Sequence, residues 1–247
     1  MIMNNPEDYR DRAVYRHNIF KNDFILKNIT VKETDLFISS DIDISETAIE
    51  SVHRLRSSLE SYITLNQEFA SSLIPVPYDD FAPDIVREMM LVSRMAGVGP
   101  MAAVAGAIAE GVGRDIGSCV ENVIIENGGD IYLNLKRDVT IGIFAGNSRL
   151  NEKISIKVRK EEMPLGICTS SGTVGHSISF GVADACCVKS RSTALADAAA
   201  TAIGNLVKSK KDIRKALEAG MQIDGVLGIL IIIDDQLGAM GNLELAK

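Results

Sequence analysis

The chain has 247 residues, 46% of them hydrophobic and 24% charged, which excludes a disordered chain, a collagen-like repeat and a disulfide-dense miniprotein. Its 26 basic and 33 acidic residues leave a net charge of −7, and aromatics make up only 5% with no Trp. No basic arm and no base-stacking platform is supplied, so nucleic acid is not an expected partner. The opening Met1-Ile-Met-Asn-Asn-Pro carries no apolar leader. The longest apolar run, Val226–Ile233, falls far short of the ~20 residues a membrane helix needs. A cytoplasmic location without membrane contact is expected. Cys119, Cys168, Cys186 and Cys187 show no zinc-like spacing. The Cys186-Cys187 pair reads as two small apolar residues in a strand, with a reactive thiol as the alternative.

In chain order, Phe24–Ser39 reads as two strands joined near Lys32–Asp35. A helix follows, with Asp43 as cap and Glu46 at the capping-box spacing. Ile49, Val52, Leu55, Leu59, Tyr62 and Ile63 form its apolar stripe. The proline-rich stretch Leu73–Pro83 is a connection. Asp84–Ala96 is a second helix ending near Gly97. Gly99–Gly113 is almost entirely Ala, Gly and small apolar residues at helical spacing, with Pro100 suited to a first turn. Such a helix packs tightly in the interior, carries a ligand, or forms a subunit contact in a homo-oligomer. Strands follow at Val123–Glu126, Ile131–Leu135, Val139–Phe144 and Ile154–Val158. An Ala-rich helix then runs from Ser192 or Thr193 to about Val207, a short helix over Lys211–Ala219, and a strand over Leu227–Ile233. Helices and antiparallel hairpins alternate irregularly, so the expected class is α+β. One domain over 1–247 is expected, with substructures 1–80 and 81–247 as the finer division.

Three constellations carry chemistry. Glu126-Asn-Gly-Gly-Asp130 is a turn that lets backbone approach closely, either as a hairpin or as a ligand loop. Cys168-Thr-Ser-Ser-Gly-Thr-Val-Gly-His176 gathers hydroxyls, glycines and a His in what reads as a loop able to face a phosphate. Asp197 and Thr201 sit four apart on one helix face, a carboxylate and a hydroxyl that suit a hard cation. The alternative for Asp197 is an acid satisfying a helix dipole.

Taken together and in this order, Gly106–Asp115, Asn127–Asp130, Thr169–Gly172, His176 and Ala196–Ala202 resemble the ApbE-like superfamily, which includes FAD:protein FMN transferases. Gly99–Gly106, Gly175–Asp184 and Thr201–Asn205 bring the chain nearer a smaller, largely uncharacterised cytosolic branch of archaeal and bacterial proteins. The match covers about residues 95–207 well and the N-terminal part more loosely. The resemblance implies an ApbE-like fold with antiparallel sheets flanked by helices. It implies Mg²⁺ held by Asp197, Thr201 and the carbonyl of Ala200, with one carbonyl of Gly106–Ala109 as a further candidate ligand. It implies FAD against Gly128, Gly129, Asp130, Thr169, Ser170 and Gly172, and His176 and Asp184 as catalytic residues. The substrate would be a small-molecule nucleotide or a protein. Two features depart from the transferases. They usually have Ala-Lys-Gly where this chain has Ala109-Glu110-Gly111, and a proline-containing stretch after the His that is absent here. The cytosolic branch has also been linked to sulfur assimilation through homocysteine formation, which would give a cysteine a sulfur-handling or accessory role. A binding protein that keeps the fold without catalysis is the third reading.

Overall fold

A computed structural model describes residues 24–172 and 180–246. Its elements are β1 (Ile25–Val31), β2 (Thr34–Ser40), α1 (Ser45–Leu65), α2 (Gln67–Ser71), α3 (Asp84–Ala96), α4 (Val104–Ile116), β3 (Val123–Asn127), β4 (Asp130–Asn134), β5 (Val139–Gly142), β6 (Ser155–Val158), β7 (Leu165–Ser170), β8 (Ala185–Ser190), α5 (Thr193–Leu206), α6 (Ile213–Gly220), β9 (Val226–Ile233), β10 (Gln236–Gly241) and β11 (Glu244–Ala246). The α+β class stands.

Eight strands form one antiparallel sheet in the order β1-β2-β3-β4-β7-β8-β9-β10, and β11-β6-β5 form a second. Both faces of the large sheet are covered, which the strand sequences explain. Side chains alternate across a strand, and both sets are apolar here. Val123 and Ile125 of β3 face the helices, packed with Val52, Met89, Val112 and Ile116. Ile124 of β3 and Leu133 of β4 face the other way, onto Ile141, Ile156 and Val158 of the small sheet. The strands are therefore apolar runs rather than half-polar ribbons. Because β1 and β2 join the large sheet through β3, the chain on either side of residue 80 shares one sheet.

Several boundaries differ from expectation. Asp43 does not form a capping box with Glu46. Its Oδ1 accepts from the N–H of Ser45 at 3.0 Å, but Asp43 precedes the N-cap position Ile44, and α1 begins at Ser45 without a side-chain bond from its N-cap residue. The small-residue helix is two elements, a 3₁₀ turn at Pro100–Ala103 followed by α4. Cys168, Thr169 and Ser170 do not open a loop. They end β7, paired with Val188, Cys187 and Cys186 of β8. The short helix is α6, entered through a 3₁₀ turn at Lys210–Asp212. The strands β10 and β11 lie in sequence too rich in Gly and polar residues to show period-two alternation.

The small residues of α4 are turned inward. Gly111 lies against Leu55, Gly113 against Tyr132, and Gly106 against α5. These glycines are thus spent on contacts inside the fold.

Candidate active site

The site forms where the first turns of α4 and α5 meet above β3, β4 and β7. At the crossing, a side chain on Gly106 would stand 2.5 Å from the carbonyl of Thr193 and 2.8 Å from Cβ of Asp197, so only glycine lets the two backbones touch. Asp197 then reaches α4. Its Oδ2 accepts from the N–H of Gly106 at 2.9 Å, and it accepts from Ala105 as well. A helix leaves its first N–H groups unpaired, and this carboxylate, from a residue 91 positions away, takes two of them. Glu110 does the reverse. Its Oε2 accepts from the N–H groups of Thr193 at 2.7 Å and Ala194 at 3.1 Å, and from the Ser192 hydroxyl at 3.1 Å. Each helix therefore caps the other.

Beneath this crossing lies Asp130, the first residue of β4. It is buried and sits opposite Cys168 of β7. The Cys168 thiol beside it donates to the carbonyl of Thr193 at 3.3 Å, and the Asp130 carboxylate accepts from the N–H of Thr169. Burial, followed by the charge of Asp197, holds the Asp130 carboxyl well above the usual carboxylate range. Burial pushes the Asp197 carboxyl up to about 7 against the lowering effect of the Gly106 and Ala105 N–H groups. Among the described residues no Lys or Arg forms an ion pair with either acid.

The turn before Asp130 is shaped by glycine. Gly128 and Gly129 have φ of 66° and 105°, a left-handed conformation that residues with a Cβ seldom adopt. Glu126 Oε1 accepts from the N–H of Gly129 at 2.8 Å. The Asn127 amide donates to the carbonyl of Ala105 at 3.0 Å, tying the turn to the start of α4.

The expected site residues divide accordingly. Gly128, Gly129, Asp130 and Asp197 converge. Thr201 lies one turn beyond Asp197 on α5 and is half-buried, and Ala200 beside it is buried. Ser170 faces α5 near Gly204. Thr169 points to the opposite sheet face, where its side chain bonds Cys187, so it offers the site its N–H and not its hydroxyl. Gly172 donates its N–H to Ala183 at 2.9 Å and lies tight against the backbone of Gly181. Asp184 accepts at Oδ2 from the N–H of Asp234 at 2.6 Å, closing the β9–β10 turn. His176 lies outside the described residues.

Sequence reading missed Glu126, Asn127 and Cys168 as partners of this site, and took Glu110 only as a departure from a family pattern. No local signal marks Glu110, because its partners are 82 to 84 positions distant. Cys168, Cys186 and Cys187 are buried. Burial raises all three thiols, Cys187 to about 12. They are held as thiols, which are poor nucleophiles. Cys119 is exposed.

The donor set admits a hard cation. Among the described residues no group of three or more His, Cys, Asp or Glu is arranged to hold a metal. Two crowded carboxyls with hydroxyl and carbonyl oxygens nearby suit Mg²⁺, which binds through one or two carboxylates and keeps several waters.

Residues 19–244 match the family described as AbpE bacteria. The chain belongs to this family. Similar members are uncharacterised UPF0280 proteins. One from Methanocaldococcus jannaschii is 43% identical over 90% of this chain and 93% of its own. One from Methanococcus maripaludis is 40% identical over 89% and 92%. The fold is that of the ApbE structures. The apo flavinyl transferase ApbE of Pseudomonas stutzeri superposes with a TM-score of 0.53 at 12% identity, covering 90% of this chain and 96% of that one. The flavin transferase ApbE of Vibrio cholerae gives 0.50 at 14%, covering 88% and 96%. No single helix among the described residues is long and apolar enough to cross a membrane.

Proposed function

We propose that this AbpE-family chain binds Mg²⁺ together with FAD or a related pyrophosphate and transfers the flavin-bearing phosphoryl group, as the flavin transferases that share its fold transfer flavin. The observation that carries this reading is the pair of buried Asp130 and half-buried Asp197, two acids raised by desolvation and proximity, with no ion pair to either among the described residues. A divalent cation is the simplest group that relieves such a pair.

Asp197 and Thr201 would hold the ion from one face of α5, with the carbonyl of Ala200 beside them. Bound there, Mg²⁺ would neutralise charge on a pyrophosphate under attack by a substrate hydroxyl. The Gly128–Gly129 turn leaves room for a phosphate or ribose to approach the backbone, since a side chain at Gly128 would meet nothing within 4 Å. Glu110, which would repel a pyrophosphate if it faced one, is instead spent on the N–H groups of Thr193 and Ala194. That removes the objection its charge raised. The buried, protonated thiols favour this reading over one in which a cysteine carries sulfur.

The test is incubation with FAD and Mg²⁺ in the presence of candidate hydroxyl acceptors, followed by chromatography for AMP. Mg²⁺-dependent AMP release that Asp197→Ala abolishes supports transfer. Mg²⁺-dependent FAD binding with no AMP release under any condition identifies a binding protein instead.

A further inference from the structure

Glu110 stands outside the ion and nucleotide contacts proposed above, yet it is a buried acid that takes two backbone N–H groups and a hydroxyl from another helix. It accepts from Thr193, Ala194 and Ser192 through a single oxygen, Oε2. Oε1 lies 3.5 Å from Arg114. Arg114 is held in turn by both oxygens of Glu88, at 3.1 and 2.5 Å. The charged groups facing Glu110 are therefore Arg114 one turn on and Glu88 from α3.

The α5 terminus does not need Glu110 simply to be capped. Ser192 Oγ already accepts from the N–H of Leu195 at 3.2 Å, the usual service of an N-cap serine, and Ala196 donates to the carbonyl of Ser192 at 3.0 Å. Glu110 adds two bonds that run between helices rather than within one. Together with the Asp197 bonds to α4, they flank the Gly106 contact on both sides. One clamp fixes where the two helices touch, and two clamps fix their relative rotation. Asp197 sits four residues into α5, so a rotation of α5 about the Gly106 contact changes the placement of its carboxylate against Asp130.

We infer that Glu110 is a positioning residue whose clamp on Thr193 and Ala194 sets the orientation of the Thr193–Leu206 helix and thereby the placement of Asp197 against Asp130 and the start of α4. The consequence for an ion rests on the function proposed above. The consequence for Asp197 does not.

The test compares Glu110→Ala, Glu110→Gln and Leu59→Ala, the last a buried apolar residue of α1 that serves to lower stability without removing a hydrogen bond of the crossing. The Gly106 amide resonance in a ¹⁵N-labelled sample reports the Asp197 carboxylate, and Mn²⁺ titration by electron paramagnetic resonance reports the ion. Glu110→Ala is expected to move the Gly106 amide and to weaken Mn²⁺ binding roughly 10-fold or more, the usual cost of losing a partner that orients a ligand. Glu110→Gln, whose amide oxygen still accepts, is expected to recover the Gly106 resonance and most of the affinity. Leu59→Ala should lower the melting temperature while leaving both readouts in place. A Gly106 amide unchanged in a folded Glu110→Ala variant overturns the inference, as does one that moves equally in Leu59→Ala. If the parent protein binds no Mn²⁺, the cation reading fails, and the Gly106 resonance still decides the role of Glu110.

Discussion

Two charged regions of this molecule contrast sharply. One is an open cleft of about 740 Å³ between α1, α3 and α4, lined in part by Arg54, Arg87, Arg114, Asp84, Glu88 and Asp115. Every arginine there has an acid. Arg54 meets Asp115 at 2.5 Å, Arg87 meets Asp84, and Arg114 meets Glu88. The other is the crossing of α4 and α5, which brings Asp130 and Asp197 together with no ion pair to either acid among the described residues. The difference teaches that the number of charges does not mark a site. A compensated cluster is at rest, whereas uncompensated like charges under burial store a preference for a ligand.

The largest effect that sharpens this contrast is in pH. Folded Asp130 and Asp197 hold protons that the unfolded chain releases near pH 4. As pH rises above about 4, the folded state binds more protons than the unfolded one, so stability falls, and the Asp197 share of that fall ends once its carboxyl ionises near 7. Thermal melts in chelator should therefore show a loss on the order of a few kcal/mol across that window. Asp130→Asn should recover much of the loss at pH 8 and gain nothing at pH 4. Exposed carboxylates such as Glu33 and Asp138 are lowered by their partners and act only below that window. A flat profile would break the comparison.

Next in size is Gly106→Ala. The added methyl meets the Thr193 carbonyl at 2.5 Å, and overpacking of this kind costs about 1–3 kcal/mol even though alanine is the better helix former. Chemical denaturation gives the number, and a stabilised variant would mean that the helices are not in contact. Smaller still is Arg87→Ala in the cleft. Its partner Asp84 is almost fully exposed, and such pairs contribute about 0–1 kcal/mol. FAD and metal binding should be untouched; a loss of either would make the cleft the site. The mildest test is thiol labelling under native conditions. One group, Cys119, should react quickly, and Cys168, Cys186 and Cys187 only after unfolding.

How much of this was legible in the sequence depends on range. The amphipathic stripe of α1, the αL glycine after α3 and the Asn-Gly-Gly-Asp turn are local patterns, and each is where the residues suggest, except that Ile49 of the stripe is exposed and Ala48 is buried in its place. Asp197 and Thr201 were found because their spacing is a property of one helix. The ends of β7 and β8 were not, because Cys168-Thr-Ser-Ser-Gly carries turn chemistry and its strand character comes from pairing with Val188, Cys187 and Cys186. Asp184 resembles a site residue in sequence, yet its carboxylate closes a turn with Asp234, a partner 50 positions away. Glu110 inverts that case. In sequence it is a misplaced negative charge, and only the approach of Thr193 and Ala194 gives it a purpose.

The most direct test of the central claim is a calorimetric titration of FAD into the purified protein with and without Mg²⁺, repeated on Asp197→Ala. Binding that requires both the ion and the carboxylate is the expected result. Equal binding without Mg²⁺, or binding retained in Asp197→Ala, would contradict the assignment of the Asp130–Asp197 pair as the cation and nucleotide site.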